Sequence, residues 1–495
     1  MPSVPFIYEK FTFQMLSSLS SMQCFGKQLL RVNDKKEVLF SWLRQAAPLT
    51  FTSGPMLQKI ILFSIPLAAS SILQLLFNAA DVVVVGRFAG STALAAVGSN
   101  GSLINLLVNL FVGLSLGANV VAARCFGAKD DHGVQDTVQT SVTLGFVSGV
   151  LLAVVGFFAA RGLLELMSCP EDVIDLSALY LKIYFIGMPM TMLYNFSSAL
   201  LRAVGDTKRP LYCLAAAGLI NVVLNLVFVI GFSMSVAGVA LATIISQTVS
   251  ACMVTRMLMK EEGALHLDLH HLGFHIGALK QILLIGLPAG LQSTVFSLSN
   301  VVIQSAINSF GSTVVAGSSA SANLEGFVYT AMNAFSQAAV TFTSQNMGAR
   351  KYQNLNRVVL NCLLCAIVTG VVLGGGAVLA GTQLLHFYSS DAAVITAGYE
   401  RLRVICGTYL LCGIMDTLAS SLRGLGYSVL PMVVSLVGSC LLRLVWIATI
   451  FQLNRTPFML YISYPISWVL TAAVHLACLL VVRHKMKNRL KLSID

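Results

Sequence analysis

The chain has 495 residues, 56% of them hydrophobic and 10% charged, with a net charge of +11 and a mean hydropathy of +0.81. That composition excludes a soluble globular domain and implies many membrane spans. The positive charge is no nucleic-acid footprint, because the basic residues sit in short loops between apolar runs, and no Walker A pattern points to nucleotide use.

Residues 1–55 are mixed and irregular. The stretch 6–30 lacks the clean apolar core and small-residue cleavage site of a signal peptide, so this N-terminal tail is assigned no role. Residues 60–85 then form a run long enough to span a bilayer, for which about 20 apolar residues suffice. Pro66 lies in its first half, where it can kink the helix and free a carbonyl. Gln74, Asn78 and Asp81 recur at spacings of four and three and share one helical face. Amides on such a face often only hydrogen-bond neighbouring helices, but a lone carboxylate is costly enough there to mark a functional site.

Spans are expected near 58–84, 92–122, 133–160, 173–200, 209–231, 235–259, 277–306, 314–346, 353–381, 392–421, 430–452 and 460–482. If the first starts in the cytoplasm, the inner loops carry most of the basic residues, from Lys59 and Arg124 to Arg423 and the tail after Arg483. The outer loops carry little more than Arg87, Arg161 and Arg455, which places both termini in the cytoplasm of a multi-pass cell-membrane protein. The expected division is a tail at 1–55, a six-helix lobe at 56–259, a cytoplasmic linker at 260–276, a second six-helix lobe at 277–485 and a basic tail at 486–495. The linker holds His266, His270, His271 and His275, but interleaved leucines and the lack of other ligands favour an interfacial segment over a metal site. Cys362 and Cys365 form a C-x-x-C inside an apolar span and read as small core residues.

The halves repeat at a fixed offset of 221 residues. Gly90-Ser91-Thr92 matches Gly311-Ser312-Thr313, Gly127-Ala128-Lys129 matches Gly348-Ala349-Arg350, and Leu201-Arg202, Gly205 and Pro210 match Leu422-Arg423, Gly426 and Pro431. Six spans per half is an even number, so both halves enter the membrane in the same direction. The expected fold class is therefore an all-α membrane protein with twelve transmembrane helices in two six-helix lobes related by a pseudo-twofold along the membrane normal, a plan of secondary transporters with a site between the halves.

Pro66, Gln74, Asp81, Val85-Gly86, the stretch Ala93-Leu94-Ala95-Ala96-Val97-Gly98, Gly113, Ser115-Leu116-Gly117 and Leu201-Arg202-Ala203-Val204-Gly205-Asp206 carry a resemblance. Over about residues 52–485 the sequence resembles the bacterial multidrug and toxic compound extrusion family. The resemblance implies a V-shaped pair of lobes and export of small-molecule drugs against an inward proton or sodium flux, with no cofactor.

The family's ion-binding cluster uses an acid on span 1, an Asn and often an Asp on span 5, and a Thr on span 6. Carried over, these are Asp81, Asn221, Asn225 and Thr243, with Gln74 on the same face as Asp81. Depth agrees: Asp81 lies about 33 Å of helix beyond Lys59, Asn225 about 22 Å beyond Pro210, and Thr243 about 12 Å from Ser235. All four fall in the outer half of the membrane and are expected to face one interior. Asn225 stands where some members have Asp; a single titrating acid tilts the reading toward protons over sodium.

The second half is no copy, since Val302 stands opposite Asp81 and Trp446 opposite Asn225. Its intramembrane acids are Glu325, which has no evident partner, and Asp416, which can pair with Arg423 or Arg443. Glu325, Asp416, Asn195, Tyr194 and Met192 are candidates for the substrate cavity, although packing is the commoner reason for a Met-rich wall. Arg202 and Arg423 read as anchors of inner helix ends.

The function expected is proton-coupled, or else sodium-coupled, antiport of amphipathic, often cationic compounds by a monomer in the lipid bilayer. The near rival is a flippase for a lipid-linked oligosaccharide, which wants a basic cavity. A membrane-embedded enzyme would need a nucleophile–base or metal constellation at one depth, and none is seen.

Overall fold

The computed structural model describes residues 51–167 and 169–491. Nearly all of the N-terminal tail, and the last residues of the basic tail, lie outside the described residues.

All regular secondary structure among the described residues is helical. In the first half these are α1 (Met56–Phe88), α2 (Ser91–Ala128), α3 (Asp131–Leu166), α4 (Glu171–Ile186), α5 (Met188–Ala203), α6 (Lys208–Asn225, continued by a π turn, Leu226–Gly231) and α7 (Ser235–Met259). The second half holds α8 (Ile276–Asn308), α9 (Ser312–Gly348), α10 (Asn354–Thr369), the short α11 (Gly375–Leu379) and α12 (Gly381–His386), α13 (Ala392–Gly407) and α14 (Tyr409–Gly424). It ends with α15 (Val429–Ser435), α16 (Leu442–Ala448), α17 (Ile450–Leu453), α18 (Pro457–Tyr461) and α19 (Ser463–Lys491). Among the described residues nine helical stretches are long and apolar enough to cross a bilayer, and two bent pairs bring the number to eleven. The chain is a multi-pass all-α membrane protein.

The repeat is written into the backbone. Gly90 and Gly311 precede α2 and α9 with φ 89°, ψ 173° and φ 88°, ψ 173°. Lys129 and Arg350, again 221 apart, both take left-handed φ values of 58° and 56°, and Gly205 and Gly426 take 92° and 97°. The expected single spans at 173–200 and 392–421 are both broken: α4 and α5 meet at 49°, α13 and α14 at 43°. Pro189, just past the first break, has no N–H to carry the helical ladder through it.

The halves are joined along α2. Gly113 and Gly117 of α2 face Gly286 and Gly290 of α8, and a side chain at any of the four would overlap the other helix's backbone. Two small-x-x-x-small stripes thus interlock, which in a membrane gives close packing where no hydrophobic driving force is available. Nearer the end that carries Lys129 and Arg350, Gly127 packs on Gln345 of α9 in the same way.

The first described residue is fixed to the second half. Phe51 is fully buried and stacks on Phe342 at 3.7 Å, its N–H donates to Gln345 Oε1, and Asn346 Nδ2 donates to its carbonyl. Four residues of the 1–55 segment, Phe51–Gly54, therefore precede α1 in a docked turn rather than an irregular tail.

The linker histidines go to separate partners: His266 to the Glu261 carbonyl, His271 to Asp268 at 2.6 Å and His275 to Asp136 at 3.3 Å. Leu265 and Leu267, on either side of His266, are buried.

Candidate functional site

At Gly218 of α6 a side chain of α1 packs against the backbone of α6. The Phe77 ring occupies the space that a side chain at position 218 would need. Asp81 is one turn beyond Phe77 on α1, while Asn221 and Asn225 follow Gly218 on its stripe of α6, so this close approach lays the acid against both amides. Asn225 Nδ2 donates to Asp81 Oδ1 and, at 3.2 Å, to Asn221 Oδ1. Asn221 Nδ2 donates to Thr243 Oγ1 at 3.5 Å, and Thr243 also lies within hydrogen-bonding reach of Asp81. Asn225 is fully buried and Asp81 is 9% exposed. The π turn starts immediately after Asn225; such widened turns recur at functional sites.

One turn farther along each helix sits an apolar cover, Val84 and Val85 on α1, Val229 after α6 and Val239 on α7. Tyr180 and Tyr184 of α4, stacked at 6.0 Å, are close enough to feel the Asp81 charge, and neither was singled out from the sequence. The result is one carboxylate among neutral groups. Asn225 Oδ1, buried and without a donor among the described residues, adds a further oxygen. This oxygen-rich set suits a proton or a hard monovalent cation. Gln74 is not part of it: two turns from Asp81, it is exposed, and its side chain makes no hydrogen bond among the described residues.

Between the halves lies a cavity of about 620 Å³. Asn109 and Arg202 line it from the first half, and Gln292, Tyr329, Asp416, Arg423, Arg443 and Trp468 from the second. Asp416 lines the cavity, with Tyr329, Arg423 and Arg443 near enough to act on its charge. Arg423 instead donates to Gln292 Oε1 at 2.7 Å, and Arg443 donates to Ser467 Oγ at 2.8 Å while lying over the Tyr464 ring at 4.1 Å.

Four expectations about this cavity are corrected. Glu325 does have a partner: Arg401 of α13 grips both its oxygens at 2.8 Å, Ser321 donates to it, and the pair lies outside the cavity. The signal for this was an arginine deep in the span 392–421, since an intramembrane charge implies a counter-charge. Met192 is fully buried in a packed apolar cluster of α2, α3, α4 and α5 residues. Tyr194 turns its hydroxyl to the Pro210 carbonyl, and neither it nor Asn195 lines the cavity. Arg202 and Arg423, read as helix-end anchors, both face the cavity, because α5 and α14 end beside the seam that joins the halves.

The MatE family model matches residues 66–227 and 288–449, once in each half. A relative in Bacillus subtilis (strain 168), "Probable multidrug resistance protein YoeA", is 29% identical over 77% of this chain and 83% of its own length. The "Multidrug export protein MepA" of a Staphylococcus saprophyticus strain is 22% identical over 76% of this chain and 83% of its own. Among solved structures, a multidrug resistance MATE family transporter of the MOP superfamily in an outward-facing conformation superposes with a TM-score of 0.84 at 20% identity, covering 90% of this chain and 100% of the other. With the duplicated match covering most of the membrane helices, and Asp81, Asn221 and Asn225 inside the first copy, the chain belongs to the MatE family.

Proposed function

We propose that the protein is a secondary active antiporter, not an enzyme, that exports amphipathic organic compounds, drugs among them, in exchange for protons or sodium. One observation carries this reading: Asp81, on a membrane-length helix, is buried and, among the described residues, held by uncharged groups. A carboxylate so placed can exchange a proton or cation as its surroundings change, and differential affinity between two conformations is what couples an ion flux to transport. Asp81, Asn221, Asn225 and Thr243 form the coupling site; Gln74 does not.

The architecture in this reading is twelve spans in two six-helix lobes, 56–259 and 277–485, related by an axis along the membrane normal. The twelfth span is α9. Its Asn333, Gln337 and Thr341 face the cavity, which explains an average too polar for a hydropathy criterion. The end bearing Lys59, Arg124, Lys129, Arg350 and Lys351 is cytoplasmic, as are both termini, the 260–276 linker and the basic tail. The close packing of the two halves at that end supports an outward-facing form, and the reading takes the protein as a monomer. The cavity volume of about 620 Å³ suits a drug-sized molecule and is small for a lipid-linked oligosaccharide.

The test is transport in reconstituted vesicles with proton and sodium gradients imposed separately. Uptake of a fluorescent amphiphile should follow one gradient and vanish when it is collapsed. Uptake indifferent to both would refute antiport.

A further inference from the structure

The charges on the cavity wall do not match a preference for cations. Its charged residues, among those described, are Arg202, Arg423 and Arg443 against Asp416 alone. Glu325, the other acid that might have recruited a cation, is closed off with Arg401. Arg202 and Arg423 occupy the same place in the two halves, 221 residues apart, so the repeat supplies one arginine from each side of the cavity. The position matching Asp416 is Asn195, so the first half supplies no balancing acid.

The arginines also have unused donors. Arg443 is only 4% exposed, yet among the described residues its Nη2 has no hydrogen-bond partner, and Arg423 Nε has none either. No ion pair within 4.0 Å joins Asp416 to Arg423 or Arg443 among the described residues. A buried guanidinium with a free N–H is costly unless an acceptor arrives, and the acceptor it fits best is a planar or tetrahedral oxyanion. Beside these donors runs an aromatic wall, with Tyr409 and Trp468 stacked at 5.5 Å.

We propose that the cargo of this cavity is an amphiphile with a negatively charged head, a carboxylate or phosphate, and a flat apolar body. The head sits at Arg443 and Arg423, with Arg202 adding charge from the opposite half, and the body lies on Tyr409 and Trp468. A cation in the same place meets three positive charges and one negative. This inference rests on the export reading in one respect, that the cavity is where cargo binds.

The experiment uses the full chain in phosphatidylcholine nanodiscs with no gradient, titrated with two dyes that share a ring system: fluorescein, an anion, and rhodamine 6G, a cation. Fluorescein should bind at least tenfold tighter. Arg443→Gln should weaken fluorescein about tenfold and leave rhodamine 6G unchanged or tighter. Arg202→Gln, at a less buried position, should do the same in smaller measure and serves if Arg443→Gln does not fold. Competition by laurate against dodecyl phosphate tells a carboxylate head from a phosphate. Rhodamine 6G binding as tightly as fluorescein to the unaltered protein, or a dye preference unmoved in the arginine variants, overturns the proposal. Gradient-driven flux is measured separately on the same protein in vesicles. Flux with a cation preference sinks this inference and spares the antiporter, while anion binding without flux does the reverse.

Discussion

Each half of the molecule buries a carboxylate within its helices, and the two are held in opposite ways. Asp81 in the first half has Asn225 and Thr243 as partners, with Tyr180 nearby. Glu325 in the second is gripped by both prongs of Arg401. The offset makes the contrast sharper, because position 180 is the repeat mate of position 401. One structural slot carries a phenol in one half and a guanidinium in the other. An acid among neutral groups can gain or lose charge at the expense of a few hydrogen bonds. An acid clamped by arginine cannot be neutralised without stranding a buried cation, so its pair serves the architecture instead. Duplication thus supplied two similar frames, and a few side chains made one of them responsive and the other rigid.

Five substitutions break or sharpen that contrast. Asp81→Asn keeps shape and hydrogen bonding but cannot exchange a proton. It should reduce gradient-driven flux to the level of empty vesicles while cargo affinity without a gradient survives, and normal flux would erase the distinction between the halves. In the second half the large effect should be on stability. Arg401→Leu leaves Glu325 uncompensated, at about 3–5 kcal/mol, read as a lower unfolding midpoint in detergent, and adding Glu325→Leu should restore most of it. Cargo affinity in that double variant should stay within about twofold of the unaltered protein, because the pair lies off the cavity. Asn225→Asp sharpens the first half by adding a second anionic oxygen. Sodium binding should tighten about tenfold, near 1.4 kcal/mol, with flux becoming more dependent on a sodium gradient. The smallest effect belongs to the linker. Hydrogen bonds from His271 and the His270 N–H hold the Asp268 carboxyl below its ordinary range. A lowered acid stabilises its folded contact at neutral pH and loses that contribution as pH falls through the lowered value. Asp268→Asn should therefore remove only an acid-induced opening of residues 265–272 in hydrogen exchange and leave flux unchanged.

What the sequence made legible follows the dimension of the information needed. Asp81, Asn221, Asn225 and Thr243 were grouped by the family resemblance and by depths that can be counted along a chain, and the structure brings the four together. The repeat was equally visible, since Gly90, Lys129 and Gly205 and their mates each mark a bend that only certain residues tolerate. Gln74 shares the stripe but not the cluster: two turns from Asp81, it is exposed and makes no side-chain hydrogen bond among the described residues. Glu325 and Arg401 lie 76 residues apart on helices whose adjacency no local pattern encodes. Arg202 and Arg423 looked like helix-end anchors because their depth was judged without the seam, and the seam is what turns those ends inward.

That seam has a mechanical meaning. Gly113 and Gly117 touch Gly286 and Gly290 backbone to backbone, with no side chains between to act as a cushion. The contact therefore behaves as a fulcrum, and α2 beyond it as an arm of about 33 Å running back from Gly113 to Ser91. Each degree of turn at the fulcrum carries the far end about 0.6 Å, so ten degrees moves it by roughly 6 Å. Replacing one of these glycines with alanine would wedge the bearing open where leverage is least and displacement at the far end greatest.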